Sequence, residues 1–305
     1  MAAGRSRRVG AGAVLVIVLI FAALALSKLK HVHLQQAVGS GCLVRGAAFD
    51  VPLSTDQAGL AASIAAVARH AAMPPRAVSI AYATALQESK LQNLPYGDRD
   101  SVGIFQQRPS QGWGTRRQLL DPVYASTRFF AALRAVPGYQ HLQIYQAAQD
   151  VQHSADGYAY NQWAPQGTVM AGGFTGQSPH SVWCWYDSKV TGRGRLATAS
   201  QQLARAFGRL RIGHVGDPVM RVLVRHTSFG WAVASWLVSH AGSFRIRYVS
   251  YDGYQWTAAL ARKGWLKQPL PGHRSGGTHA GGTHAGGRQR GGGQVPAGPR
   301  AVVFG

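Results

Sequence analysis

Charge is divided so unevenly along this chain that it marks out where a folded core can form. Residues 1–49 hold six Lys or Arg and no acid. Residues 50–187 hold nine of each sign, and residues 188–305 hold seventeen Lys or Arg against Asp217 and Asp252 alone. The whole chain carries +21, yet its middle is neutral. A neutral segment with basic flanks suggests a folded unit tied by its ends to something anionic. DNA, anionic lipid and an acidic cell wall all meet that description, and charge does not choose between them. At 305 residues one or two domains are expected, with ample chain for a buried core.

The start of the chain sets the compartment. Arg5, Arg7 and Arg8 precede an uncharged apolar run, Val9–Leu26, and Lys28 and Lys30 follow it. At ~1.5 Å per residue such a run spans roughly 27 Å, enough for a bilayer core. Arginines ahead of it favour a cytoplasmic residue 1–8 segment. We read residues 9–26 as an uncleaved anchor, because the run is long for a signal peptide. Cleavage after Ala23-Leu24-Ala25, a small-x-small site, is the alternative. Both send the remainder outside, as a single-pass membrane protein or a secreted one. Export also opposes a nucleic-acid partner.

Residues 27–41 read as a polar stalk, and His31 and His33 within it lack further ligands, so no metal site is expected. The two cysteines, Cys42 and Cys184, stand at the ends of the neutral segment. In an exported protein one bond between them would tie together the ends of a domain at 42–187. Inside that domain, Ser54-Thr55-Asp56-Gln57 has the form of a capping box opening a helix to about Ala72. Pro74-Pro75 stops it, and Pro75 suits the first position of a second helix, to about Leu91. Asn93–Asp100 is turn-rich, and Ser101–Gln107 reads as a short extended segment. Further helices are expected at about 122–136 and 145–154. Beyond them we expect a basic helical linker at 188–216, a small helix-plus-hairpin module at 217–270 and a disordered, Gly/His/Arg-rich tail at 271–305. The hairpin is placed on Asp252-Gly253, between Arg245–Tyr251 and Tyr254–Thr257.

The stretch Ala83–Trp113 holds the only glutamate, Glu88, at the end of a helix of small residues, and Gly103-Ile104-Phe105-Gln106 follows fifteen residues on. Glu88-Ser89 with this Gly-x-x-Gln resembles the catalytic region of the lysozyme-like superfamily. The nearest branch is the soluble lytic transglycosylases and goose-type lysozymes, with their Glu-Ser and Gly-Leu-Met-Gln. The run QESK…YGDRDSVGIFQQRPSQGWG and the segment Ala147–Ser154 also resemble exported actinobacterial proteins with a transglycosylase-like domain. The likeness extends loosely from Cys42 to Cys184. It implies a mainly α (α+β) fold: a lysozyme-like helical domain with a small extended element, to which the chain adds a small C-terminal α/β module.

Glycosidic cleavage needs an acid at the leaving oxygen and usually a second carboxylate. Glu88 is the acid candidate, and close packing of its slim helix would bury the carboxyl and raise its pKa. Asp98 and Asp100 are candidates for the second carboxylate, against ordinary turn chemistry for each. The resembling transglycosylases need none, because the substrate's acetamido group assists and one glutamate serves as acid, then base. The resemblance also implies that Ser89 binds substrate or orients the site and that Gly103, Phe105 and Gln106 line the cleft. It further implies that Tyr158 or Tyr160, in Tyr158-Ala159-Tyr160-Asn161, lies near the catalytic carboxylate. A core role for these aromatics stands beside that reading. The function expected is cleavage of peptidoglycan glycan strands without cofactor. The alternatives are a non-catalytic wall-binding protein on the same fold and, less favoured, a nucleic-acid binder. Peptidoglycan, anionic wall polymer or lipid, and the membrane are the expected partners.

Overall fold

The computed structural model describes residues 39–154, 156–187, 194–216, 218–268 and 300–305. The apolar run, the stalk up to residue 38 with its two histidines, Asp217 and residues 269–299 lie outside them.

Helix α1 (Thr55–His70) begins at the expected capping box. Ser54 Oγ accepts from Gln57 N at 3.1 Å while Gln57 Oε1 accepts from Ser54 N at 2.9 Å, so two backbone donors at the helix start are satisfied. Its apolar positions Ile64 and Val67 are buried, with a row of alanines beside them. Helix α2 (Pro75–Ser89) starts on Pro75, whose missing N–H is one no helix could use at that position. It buries eleven of its fifteen residues, and Thr84 is accommodated by bonding its hydroxyl to Ile80 O at 2.8 Å. Lys90 and Leu91 both take left-handed backbone angles (φ 55° and 58°), which ends the helix at Ser89, one residue past Glu88.

After α2 come a one-turn 3-10 segment (Pro109–Gln111), α3 (Arg116–Leu119), α4 (Pro122–Ala135, capped by Asp121) and α5 (Ile144–Gln152). A second 3-10 segment (Gly157–Trp163) leads into α6 (Ala164–Phe174), which the sequence reading did not place. Helices α2 and α6 pack against each other through Gly167, where a Cβ would stand 2.8 Å from Ser79 O and 3.2 Å from Ala83 N. Small residues there allow backbone-to-backbone approach and keep α2 in the interior.

Strands β1 (Gly41–Val44), β2 (Val51–Leu53) and β3 (Val182–Trp185) form an antiparallel sheet in the order β2-β1-β3. Cys42 and Cys184 are register partners across β1 and β3 and are joined by a disulfide, so the bond does tie the two ends of the neutral segment. The rest of the chain supplies α7 (Leu196–Phe207), β4 (Arg211–Gly216), β5 (Val219–Leu223), α8 (Thr227–Ser239) and α9 (Ala241–Phe244). Then follow β6 (Tyr248–Tyr251), β7 (Tyr254–Thr257), β8 (Leu266–Lys267) and β9 (Ala301–Phe304). These strands make one antiparallel sheet in the order β4-β5-β9-β6-β7-β8. The β6–β7 hairpin turns on Asp252 (φ 51°) and Gly253 (φ 77°), the left-handed pair such a turn requires.

The protein is therefore a mixed α+β fold with two antiparallel sheets, and three expectations need correction. The C-terminal module is not α/β, because none of its strands pair in parallel among the described residues. Nor does the boundary drawn at 187/188 divide the packing. Helix α8 is apolar nearly all round and packs on α1, α6 and β3. Trp256 Nε1 donates to Cys184 O at 3.0 Å, Trp265 Nε1 to Val182 O at 2.7 Å, and Tyr186 Oη to Val238 O at 2.7 Å. Helix α7, expected in a linker, buries Ala199 and Leu203 and packs on α1. Finally, the disordered tail drawn to residue 305 does not hold at its end. Ala301–Phe304 form β9, which inserts between β5 and β6 with Val302 and Phe304 fully buried.

Candidate functional site

Glu88 sits in the last turn of α2, partly buried. Six contacts hold that turn in place. Gln57 Nε2 donates to Lys90 O at 2.8 Å, fastening the end of α2 to the start of α1. Ser89 Oγ lies 2.8 Å from Ile104 O and 3.0 Å from Ala85 O as donor, and accepts from Gln92 N at 3.1 Å. On the other side, Gln87 Oε1 accepts from Trp163 Nε1 at 2.8 Å, and Lys90 Nζ lies 4.4 Å above the Trp163 ring.

Tyr160 is the residue that reaches the carboxylate. Its hydroxyl donates to Glu88 Oε1 at 2.6 Å, in the range of a charge-assisted bond. The ring is buried, and burial first, then the bond to Glu88, pushes the phenol well above its ordinary pKa, so it stays a donor at any working pH. Tyr158, its alternative, is on the surface: 65% exposed, packed edge-on against Tyr145 at 5.1 Å and accepting from Asn161 Nδ2 at 3.1 Å. A 3-10 segment turns neighbours two apart to different sides, which is why one tyrosine of the pair faces Glu88 and the other faces out.

The remaining residues expected in the cleft belong to its frame. Ser101–Gln107 is not an extended segment but a tight turn, closed by a backbone bridge between Val102 and Gln107. Gly103 takes φ +82° there, and a Cβ on it would stand 2.5 Å from Leu119 O, so the turn needs glycine for its backbone. Phe105 is fully buried and stacked on Phe129 at 4.4 Å and 11°, which makes it core and not a sugar platform. The Gln106 amide is spent within its own loop, donating to Gly103 O at 3.0 Å and Tyr96 O at 3.3 Å and accepting from Ser101 Oγ at 3.2 Å. Ser89 is buried with its hydroxyl bonded to Ile104 O and Gln92 N, so it positions the end of α2.

Neither aspartate is drawn to Glu88. Asp98 is 91% exposed beside Arg99. Asp100 accepts from Arg108 Nε at 2.8 Å and from Ser110 N at 2.7 Å. The Arg108 bond first, then the Ser110 N–H, lower its pKa to about 2. A carboxylate so fully occupied is a turn lock.

Gln87, Lys90 and Trp163, which brace the end of α2, were missed in the sequence. The signal was adjacency: Gln87 and Lys90 flank Glu88 on one helix end, and Trp163 closes the segment that carries Tyr160. Two larger concavities, each of about 720 Å³, are lined by Ser54, Gln57, Gln92 and His240 in one case and by Trp113, Val136 and Gln152 in the other. Glu88 lines neither. Among the described residues no cluster of His, Cys, Asp or Glu is suited to a metal, and no helix is long and apolar enough to cross a membrane. No protein-family model matches the chain, and no curated protein matches it.

Proposed function

We propose that this protein cleaves peptidoglycan glycan strands outside the membrane, by a lytic transglycosylase-like reaction on a lysozyme-like fold, with Glu88 as its single acid–base group. The observation that carries this reading is the 2.6 Å bond from the buried Tyr160 hydroxyl to Glu88 Oε1. It fixes one carboxylate oxygen and leaves Oε2 to handle the proton. Glu88 protonates the leaving glycosidic oxygen as the C1–O bond breaks, and the substrate's acetamido oxygen bonds to C1. The Glu88 carboxylate then takes the proton of the muramyl C6 hydroxyl, which displaces the acetamido oxygen and closes an anhydro sugar. No second protein carboxylate is used, in keeping with the locked Asp100 and the solvent-facing Asp98. The basic flanks retain the enzyme on anionic wall polymer or lipid, and the N-terminal run anchors it.

Glu88→Gln keeps the acceptor for Tyr160 but removes the proton cycle. Release of soluble fragments from purified cell wall should fall by at least about a hundredfold, the usual scale for losing a general acid. Mass spectra of the wild-type digest should show products one water lighter than hydrolysed ones. Hydrolysed products that depend on Asp98 or Asp100 would replace this mechanism with a two-carboxylate one. The wall-binding reading is favoured by one observation, that Glu88 lines neither of the larger concavities. It prevails if the wild type binds wall and releases nothing.

A further inference from the structure

Two concavities, of about 720 and 310 Å³, share Trp113, Gln111 and Ala132 and so form one trough along α4. We propose that this trough binds a neutral saccharide chain and holds the glycan away from the scissile bond, an inference that rests on the glycan reading of the Glu88 site. Trp113 gives the trough a half-buried indole whose N–H has no protein partner among the described residues. The same lining includes Ala131 and Ala135, exposed on α4, whose small side chains give the trough a smooth apolar ledge. A flat ring and a smooth ledge match the C–H face of a pyranose, as an amphipathic aromatic does wherever one side of its ligand is apolar and the other wet.

The rim is polar and uncommitted. The side chains of Gln111, Asp150 and His153 are exposed and bond to no protein group among the described residues, so their donors and acceptors are open to hydroxyls. Charge decides the ligand class. Asp150 on one side is balanced by Arg128 on the other, whereas the chain as a whole carries +21. A phosphate polymer or anionic lipid would be drawn elsewhere on this protein, and a neutral polyhydroxylated chain has nothing to lose here. Each of the two concavities has a volume within the usual range for ligand sites.

The trough is also built into the frame of the candidate site. Gln152, on its wall, donates from Nε2 to Phe105 O at 2.8 Å. The preceding carbonyl, Ile104 O, is the acceptor for Ser89 at the end of α2. The turn at 103–106 therefore has the trough's wall bonded on one side and the Glu88 helix end on the other.

The test uses the full chain in detergent, as Glu88→Gln so that no turnover occurs, titrated calorimetrically with the β-1,4-linked tetramer of N-acetylglucosamine. Trp113→Ala should weaken binding about tenfold, the order of one aromatic contact. Because Trp113 also packs on the core, Ala135→Trp is the second variant: it fills the trough from an exposed position and should weaken binding at least as much. Both are checked for folding by circular dichroism. If folded Ala135→Trp and Trp113→Ala bind as the parent does, or the parent binds no tetramer at millimolar concentration, the trough is not a saccharide site. Tighter binding of a single-stranded oligonucleotide that Ala135→Trp abolishes also overturns it. The outcomes separate from those of the Glu88 reading. Cleavage lost in Glu88→Gln with tetramer binding unaffected by either trough variant removes only the trough proposal. Trough-dependent binding by a wild type that cleaves nothing removes only the catalytic one.

Discussion

Phe105 distinguishes a wall of the candidate site from a sugar-contacting surface, and the two assignments predict different measurements. The ring is fully buried, lies flat on Phe129 at 4.4 Å, and Phe129 in turn meets Phe130 edge-on at 5.7 Å. Truncation of a buried Phe to Ala costs about 3–5 kcal/mol, the spread reflecting how far the cavity collapses. The three-ring cluster and the turn closed by Val102 and Gln107 leave little freedom to collapse, which places Phe105→Ala toward the upper end. Against a typical total stability of about 5–15 kcal/mol, that change removes a large share of the folding free energy. Phe105→Leu keeps most of the volume and should lose about 1–2 kcal/mol, mostly the stacking. Urea denaturation followed by circular dichroism reads both values. If the proposed cleavage holds, the activity of Phe105→Leu on cell wall, measured where it is fully folded, should fall modestly in kcat with KM unchanged, because the damage reaches Glu88 indirectly, through Ile104 and Ser89. The reasoning is refuted if both variants unfold within about 0.5 kcal/mol of wild type while KM rises, since that is the signature of a surface contact.

The Asp100 lock titrates. Its carboxyl is held at about 2 by Arg108 and Ser110 against roughly 3.9 when unfolded, so its contribution is present above pH ~4 and disappears as pH falls through about 2. The gap in urea midpoint between wild type and Asp100→Asn should therefore close across that window, and a pH-independent gap would contradict the assignment. The Cys42–Cys184 bond closes a loop across 142 positions, on the order of 5 kcal/mol in the chain-entropy model. Non-reducing peptide mapping should find the pair linked, and both sulfurs, being buried, should resist reductant until denaturant is added. Removing residues 300–305 should take out the central strand of the six-stranded sheet and leave β5 and β6 with open edges, lowering the unfolding midpoint and promoting association. A dispensable tail would change neither, and sedimentation with urea melts tells the two apart.

Much of this protein could be read along the chain. The capping box at Ser54, the proline start of α2 and the Asp252-Gly253 hairpin turn were legible, because each is a local arrangement in which neighbouring residues satisfy or redirect one another's backbone. The disulfide was legible as a pairing because only two cysteines exist, whereas its register across β1 and β3 was not. What the tertiary structure decided is which side chains are left over for chemistry. Glu88, Ser89, Phe105 and Gln106 stand together in a motif, yet three of them are consumed by the fold: a hydroxyl shared with Ile104 O, a ring stacked on Phe129, an amide folded into its own loop. The choice between Tyr158 and Tyr160 turned on the rotation of one 3-10 segment against α2. The inclusion of β9 in the middle of a sheet rested on pairing with strands more than fifty residues earlier. Residue type and spacing express what a side chain is able to do. Whether it remains free to do it depends on contacts between distant segments, and those exist only once the core has closed.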